Sequence, residues 1–392
     1  MDVFVVSGVR TAIGDFGGSL KDITPAALAR DVVAEAVRRG GIAPADVGHL
    51  VFGQVIHTEA RDMYISRVAA IDAGLPQEVP ALTVNRLCGS GLQAVISAAQ
   101  AVALGDCDVA VAGGVENMSR GPYSVAAARW GQKMGDTAAV DMMLSALHDP
   151  FERIHMGVTA ENVAERHQVT REQQDALAVE SHRRAAAATK EGRFRDQILP
   201  ITLKSRKGDI VFETDEHIRY DASAADMAKL RPAFRRDGGT VTPGNASGIN
   251  DGAAAVVLAS GAAVKRLGLK PMARLVAYGH AGVEPAYMGI GPVPATRNAL
   301  KKAGLSVKDL DVIESNEAFA AQACAVSREL DFDPAKVNPN GSGISLGHPV
   351  GATGAINTVK AVYELMRTGG RYGLVTMCIG GGQGIAAVFE RV

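Results

Sequence analysis

Val-rich runs and helical patterns alternate along this chain, and the same alternation is met twice. Residues 3–8, 49–56, 82–88 and 108–115 are short apolar runs. Between them lie three helical patterns: PAALARDVVAEAVRR from Pro25, a segment from Tyr64 to Ala73, and SGLQAVISAAQAVALG from Ser90. The last third repeats the order. Runs at 273–279 and 310–317 alternate with helical patterns from Pro292 and at AFAAQACAVSREL; a long helical pattern follows His348, before the strands RYGLVTMCI and GIAAVFERV. Near-continuous apolar strands alternating with helices predict an α/β sheet buried on both faces. The turns CGSG and NGSG fall at equivalent places in the two series, so an internal duplication is predicted. A chain of 392 residues also exceeds the roughly 250–300 at which one core stops growing, which two packed halves accommodate.

Residues 118–249 do not follow the pattern. They hold Met- and Ala-rich stretches, a helical segment from Thr159, and the polar loop DEHIRYDASAADMAKLRPAF. An insertion this long between two strands predicts a lid or binding subdomain. Asp215 and Glu216 within it are expected to form a solvated acidic pair.

The charge balance narrows the function classes. Formal net charge is -1, and no Lys/Arg run exceeds two residues, which argues against a nucleic-acid or membrane-surface role. No unbroken apolar run reaches the ~18 residues of a membrane span. The N-terminus reads straight into a strand with no signal-peptide pattern, and the four cysteines (88, 107, 324, 378) are widely spaced. Reduced thiols and a cytoplasmic location are expected. The nine histidines show no metal-ligand spacing, so no metal is expected.

Three glycine-rich stretches carry chemistry. In VNRLCGSGLQAV, Cys88 stands where a strand over Leu82–Arg86 ends and a helix opens at Ser90, so the macrodipole there is expected to favour its thiolate. Gly89 and Gly91 would clear the way for a substrate to reach the backbone. In GSGISLGHPVGATG, His348 lies in a loop suited to close approach by a ligand. In VTMCIGGGQG a strand ends at Cys378, and the glycines that follow can turn backbone N–H groups toward an oxyanion. Neither glycine run makes a nucleotide loop: GGGQG leads into a strand, and GSGISLGH lacks the Lys-Ser/Thr of a P-loop.

The blocks NRLCGSGLQA, ENMS, GNASGIND, NEAFAAQ, GHPVGATGA and CIGGGQGIA stand in the order found in thiolases, and the resemblance covers essentially the whole chain. ARWGQKMGD and LHDPFERIHMG look closest to the broad-specificity bacterial β-ketothiolases. The resemblance implies a thiolase fold: two similar βαβαβαββ halves forming a layered α/β/α/β/α core with an inserted loop domain. Residues 1–117 would be the N-terminal half, completed by about 250–269. Residues 118–249 would be a loop domain for coenzyme A binding and tetramerisation, and 270–392 the C-terminal half.

The implied activity is acyl-CoA C-acyl transfer: condensation of acetyl-CoA with acyl-CoA, or thiolysis of 3-oxoacyl-CoA. Coenzyme A is substrate and product, and no cofactor is permanently bound. Such enzymes serve fatty acid metabolism and polyhydroxyalkanoate biosynthesis. By the same resemblance, Cys88 is the nucleophile and His348 activates it. His348 and a water held by Asn316 bind the enolate oxygen, and Cys378 moves the α-proton. The N–H groups of Cys88 and Gly380 would hold the acyl-step oxyanion. His155, Met156, Arg219, Leu230, Phe234, Ala246 and Ser247 carry the coenzyme A contact pattern, with Met288 and Phe319 along the acyl and pantetheine channel. Pro243 departs from the family's small residue and removes a backbone donor there. A homotetramer is implied.

Two relatives of that fold compete with this reading. A ketoacyl synthase would pair its cysteine with two histidines or His/Asn, and Cys378 argues against it. A non-catalytic lipid carrier would be expected to lose the side chains retained here. Two sulfurs facing one acyl group, at least one partly thiolate, also predict a Cys88–Cys378 disulfide under mild peroxide.

Overall fold

The computed structural model describes residues 2–206 and 208–392. The first series is β1 (Val3–Thr11), α1 (Pro25–Arg39), β2 (His49–Gly53), α2 (Ile65–Asp72), β3 (Ala81–Val84), α3 (Ser90–Leu104) and β4 (Val109–Asn117). The insertion carries α4 (Met156–Arg166) and α5 (Arg171–Lys190), and β5 (Asn250–Ser260) then closes the first half. The second half runs β6 (Ala273–Gly282), α6 (Pro292–Ala303), β7 (Val312–Ser315), α7 (Ala320–Glu329), α8 (Thr353–Thr368), β8 (Tyr372–Ile379) and β9 (Gln383–Arg391).

The duplication is visible in the sheet. Outward from the centre, the first half orders its strands β1-β5-β4-β2-β3, and the second β6-β9-β8-β7. In both, the first two pairings are antiparallel and the next parallel. Where β3 would fall in the second half there is a single parallel bridge between Ile313 and Val337. The halves join edge to edge through β1 and β6, pairing Phe4 with Arg274 and Val5 with Ala273.

Helices α3 and α8 pack against each other and touch strands of both halves, while α1 and α6 cover the outer faces. This gives the five alternating layers expected from the resemblance. An 18-residue window, Leu87–Leu104, is apolar enough to cross a membrane by length and composition. It contains α3, which is apolar because it packs against the other central helix, α8, and against strands of both halves. The two central helices approach closely at glycine: a Cβ on Gly91 would come within 2.6 Å of Ala355 N, and one on Gly89 within 2.6 Å of Ile379 Cδ1. These glycines therefore serve packing, not the substrate access expected of them.

The insertion folds back on the second half, α4 against α7 and the turn Pro285–Ile290, α5 against α7 and Gly343–Leu346. It is also pinned to β1. Asp215 is buried, not solvated, and takes both guanidinium nitrogens of the buried Arg10 at 2.7 and 3.0 Å. Asp215 also accepts from Ile13 N at 2.8 Å, and Glu216 accepts from Asp15 N at 2.8 Å. The expected surface pair is thus a structural tie, since a carboxylate can be buried when a bidentate guanidinium and a backbone donor meet it.

Candidate active site

Strand β3 stops at Val84, two residues short of the expected Leu82–Arg86, because side chains capture the backbone beyond it. Asn85 Oδ1 accepts from Leu87 N at 3.0 Å. Ser90 Oγ accepts from Arg86 N at 2.8 Å and donates to Leu87 O at 2.7 Å. The turn so made holds Leu87 at φ +46°, a left-handed conformation that costs a branched residue on the order of 1–3 kcal/mol. The next residue is Cys88, just ahead of α3.

The backbone N–H groups of Gly380 and of Cys88 itself lie near the Cys88 sulfur. Both donors favour thiolate, as the sequence reading expected, but burial outweighs them and pushes the thiol up to about 11. Resting Cys88 is therefore a neutral thiol despite its place before a helix. Cys378, next to last in β8, has no accessible surface, and burial together with the Cys88 sulfur raises its thiol as well. Neither sulfur is the partly ionised thiol expected of a peroxide target.

His348 follows Gly347, whose φ of +107° admits the sharp turn. Its N–H donates to Asn250 Oδ1 at 2.9 Å, and its Nδ1 lies 2.7 Å from Thr353 Oγ1. Its Nε2 lies 3.4 Å from Asn316 Nδ2. Burial holds the imidazole neutral, its pKa lowered to about 4. Asn316 Oδ1 is buried and has no partner among the described residues, which suits the water expected there.

Cys88, His348 and Gly380 line one apolar cavity of about 270 Å³. Of the residues expected to contact coenzyme A, the cavity also brings together His155, Met156, Phe234, Ala246, Ser247, Met288 and Phe319. His155 stacks on Phe234 at 4.7 Å and accepts from Gly157 N, capping α4. Arg219 and Leu230 do not reach this cavity: Arg219 is exposed, and Leu230 packs beside Met227. Pro243 lines the wall, and the adjacent N–H groups are occupied, Thr242 N by Asn245 Oδ1 and Gly244 N by Thr242 Oγ1. On the Cys88 side, Ile56, Met118, Val350, Ala146 and Leu147 form an apolar cluster around the sulfur.

Sequence reasoning missed the residues that aim these groups. Glu116, in the ENMS block, is fully buried and accepts from Val55, Ile56 and Gly351 N at 2.9–3.0 Å, tying the His348 loop to the first half. Burial raises its carboxyl to about 8. Asn250, in the GNASGIND block, fixes the His348 backbone. The block pattern could have flagged both; their partners lie far away in sequence.

A family model described as "Thiolase, N-terminal domain" matches residues 3–262, and "Thiolase, C-terminal domain" matches 269–391. The chain is 68% identical to the beta-ketothiolase BktB of Cupriavidus necator, covering 100% of this chain and 99% of that one. It is 51% identical to an acetyl-CoA acetyltransferase of Chromobacterium violaceum over the full length of both. Among solved structures, human mitochondrial 3-ketoacyl-CoA thiolase in complex with CoA superposes with a TM-score of 0.96 at 44% identity, over 100% of this chain and 98% of that one. The acetyl-CoA acetyltransferase of Bacillus anthracis gives 0.97 at 48%, over 100% and 99%.

Proposed function

This chain belongs to the thiolase family and is an acyl-CoA C-acyltransferase, and on that premise we propose that Cys88 carries the acyl group as a thioester. In the thiolysis direction, the Cys88 proton passes to His348 Nε2 and the sulfur attacks the 3-oxo carbon. The bond between C2 and C3 then breaks. The acyl group stays on sulfur, and acetyl-CoA leaves as an enolate that takes a proton at C2 from Cys378. The thiol of a second coenzyme A gives its proton to the Cys378 thiolate and displaces the acyl group, and Cys88 regains its proton from His348. An acyl-sulfur intermediate is nearly isoenergetic with the CoA thioester, so the path runs both ways with ping-pong kinetics.

The observation that carries this reading is that Cys88, His348 and Gly380 line one cavity. A carbonyl bonded to the Cys88 sulfur would find the N–H groups of Cys88 and Gly380 within reach. Asn316 would hold the water that completes the enolate site with His348. Residues 118–249 would bind coenzyme A and build a homotetramer in the cytoplasm, and polyhydroxyalkanoate biosynthesis is one pathway the enzyme would serve. Coenzyme A would be substrate and product, with no cofactor permanently bound.

The test is mass spectrometry after mixing with acetyl-CoA, which should place an acetyl adduct on the Cys88 peptide. An adduct on Cys107 or Cys324 in its place overturns the assignment. Thiolysis of acetoacetyl-CoA against 3-oxovaleryl-CoA and longer 3-oxoacyl-CoAs then defines the acyl range.

A further inference from the structure

His348 Nδ1 lies 2.7 Å from the hydroxyl oxygen of Thr353, and both residues are buried. The same hydroxyl meets the carbonyl oxygen of Pro349 at 2.9 Å, where only the hydroxyl can donate. A hydroxyl has a single proton and an oxygen that accepts. With that proton on Pro349 O, the Thr353 oxygen accepts from the ring, and Nδ1 carries the hydrogen. The far side of the ring supports the same tautomer. Nε2 faces Asn316 Nδ2 at 3.4 Å, and an amide nitrogen only donates. A hydrogen on Nε2 would point at that donor, whereas a lone pair there receives it.

We propose that Thr353 is a positioning residue that locks His348 in the Nδ1–H tautomer, so that the bare Nε2 is the atom offered to the Cys88 proton. In a neutral imidazole only the unprotonated nitrogen can take up a proton. The other tautomer would present N–H to the cavity and could not act as the base. When Nε2 takes the Cys88 proton, the Thr353 oxygen still accepts from Nδ1–H, so the imidazolium is supported with no second proton moved. Thr353 is the first residue of α8, and its backbone N–H also donates to Pro349 O at 2.9 Å. The β-branched side chain has few rotamers, which keeps the hydroxyl between the ring N–H and the Pro349 carbonyl.

This inference rests on the reading of His348 as the base, so the experiment includes that residue. Steady-state thiolysis of acetoacetyl-CoA is measured for the full-length enzyme and for Thr353→Val, Thr353→Ala, Thr353→Ser and His348→Ala. The Val and Ala variants should lose on the order of 100-fold in kcat, the scale of general-base catalysis. KM for both substrates should stay within about 2-fold, as expected when only a transition-state interaction is lost. The Ser variant, which keeps the hydroxyl, should recover most of the lost kcat. Unchanged kcat in Val and Ala, or a Ser variant as slow as Val, overturns the proposal. Loss of the far-UV circular dichroism of both Val and Ala would assign Thr353 to folding and overturn it too. If His348→Ala keeps its kcat, the reading of His348 fails. An inactive His348→Ala beside fully active Val and Ala variants sinks the tautomer lock alone.

Discussion

The amide nitrogen of Asn316 stands 3.4 Å from Nε2 of His348, although the two leave different elements, one beyond β7 and the other ahead of α8. Each also has an unspent role: Asn316 Oδ1 has no partner among the described residues, and His348 lines the cavity. Groups so placed act on charge that develops during reaction more than on bound coenzyme A. Asn316→Ala and His348→Ala are expected to lower kcat by at least ~100-fold while KM changes far less. Steady-state thiolysis checks this, and a pure KM effect would show that the pair only binds substrate.

Cys378 occupies a different place. It is fully buried at the end of β8 and its thiol is raised in part by the Cys88 sulfur, so the two sulfurs share one environment. Removing the second one should leave the first able to react. Cys378→Ser is expected to give an acetyl-Cys88 burst with acetyl-CoA near that of the parent enzyme, with condensation and thiolysis reduced on the order of 1,000-fold. Rapid-quench mass spectrometry and turnover are compared, and an equal loss in both would merge the two roles.

The succession of strands and helices and the glycine-flanked cysteine and histidine blocks were legible because each is local: Val-rich runs at regular spacing, and cysteine or histidine beside glycine. The turn before Cys88 was less so. Its shape depends on Asn85 and Ser90 seizing backbone groups, which shortens β3 and puts Leu87 in a left-handed conformation. Long-range pairing was not legible at all. Arg10 and Asp215 are 205 positions apart, and nothing near Asp215 distinguishes it from a solvated loop carboxylate. The Cys88 thiol was misjudged for a related reason: the helix terminus is visible in sequence, whereas the burial that outweighs it is supplied by residues from both halves and the insertion. Arg219 and Leu230 matched a pattern but are not among the residues lining the cavity, although Phe234 of the same loop is.

Burial sets the expected pH response of acylation. His348 has its pKa lowered to about 4 by desolvation, so the base is neutral at all higher pH and is lost only as pH falls through about 4. Acyl transfer to Cys88 should therefore keep its rate down through pH 6.5, the ordinary histidine value, and fall below about 5. For the free thiol the sign is opposite: iodoacetamide should alkylate Cys88 of the His348→Ala variant faster as pH rises toward about 11, with no plateau near 8.5. Short pH jumps followed by quenched mass spectrometry measure both. An acylation limb near 6.5, or an alkylation plateau at or below 8.5, would show that water reaches these groups more freely than their packing implies.

The last prediction concerns the tie between β1 and the insertion. Arg10 and Asp215 are both buried, with Arg10 fully enclosed, and Asp215 also serves Ile13 N. Neither charge can turn to solvent if its partner is removed, because the guanidinium lies over the Phe194 ring and also donates to Gln197 Oε1 at 2.9 Å. Arg10→Met and Asp215→Leu alone should each destabilise the fold by about 3–5 kcal/mol, the cost of an uncompensated buried charge. Together they remove both charges and refill the space with apolar atoms, so the double variant should be less destabilised than the sum, by at least ~2 kcal/mol. Denaturant unfolding of the three variants, at fixed protein concentration, forms the cycle. Additive losses would mean that the pair contributes no coupling and that the insertion is held to β1 by its other contacts.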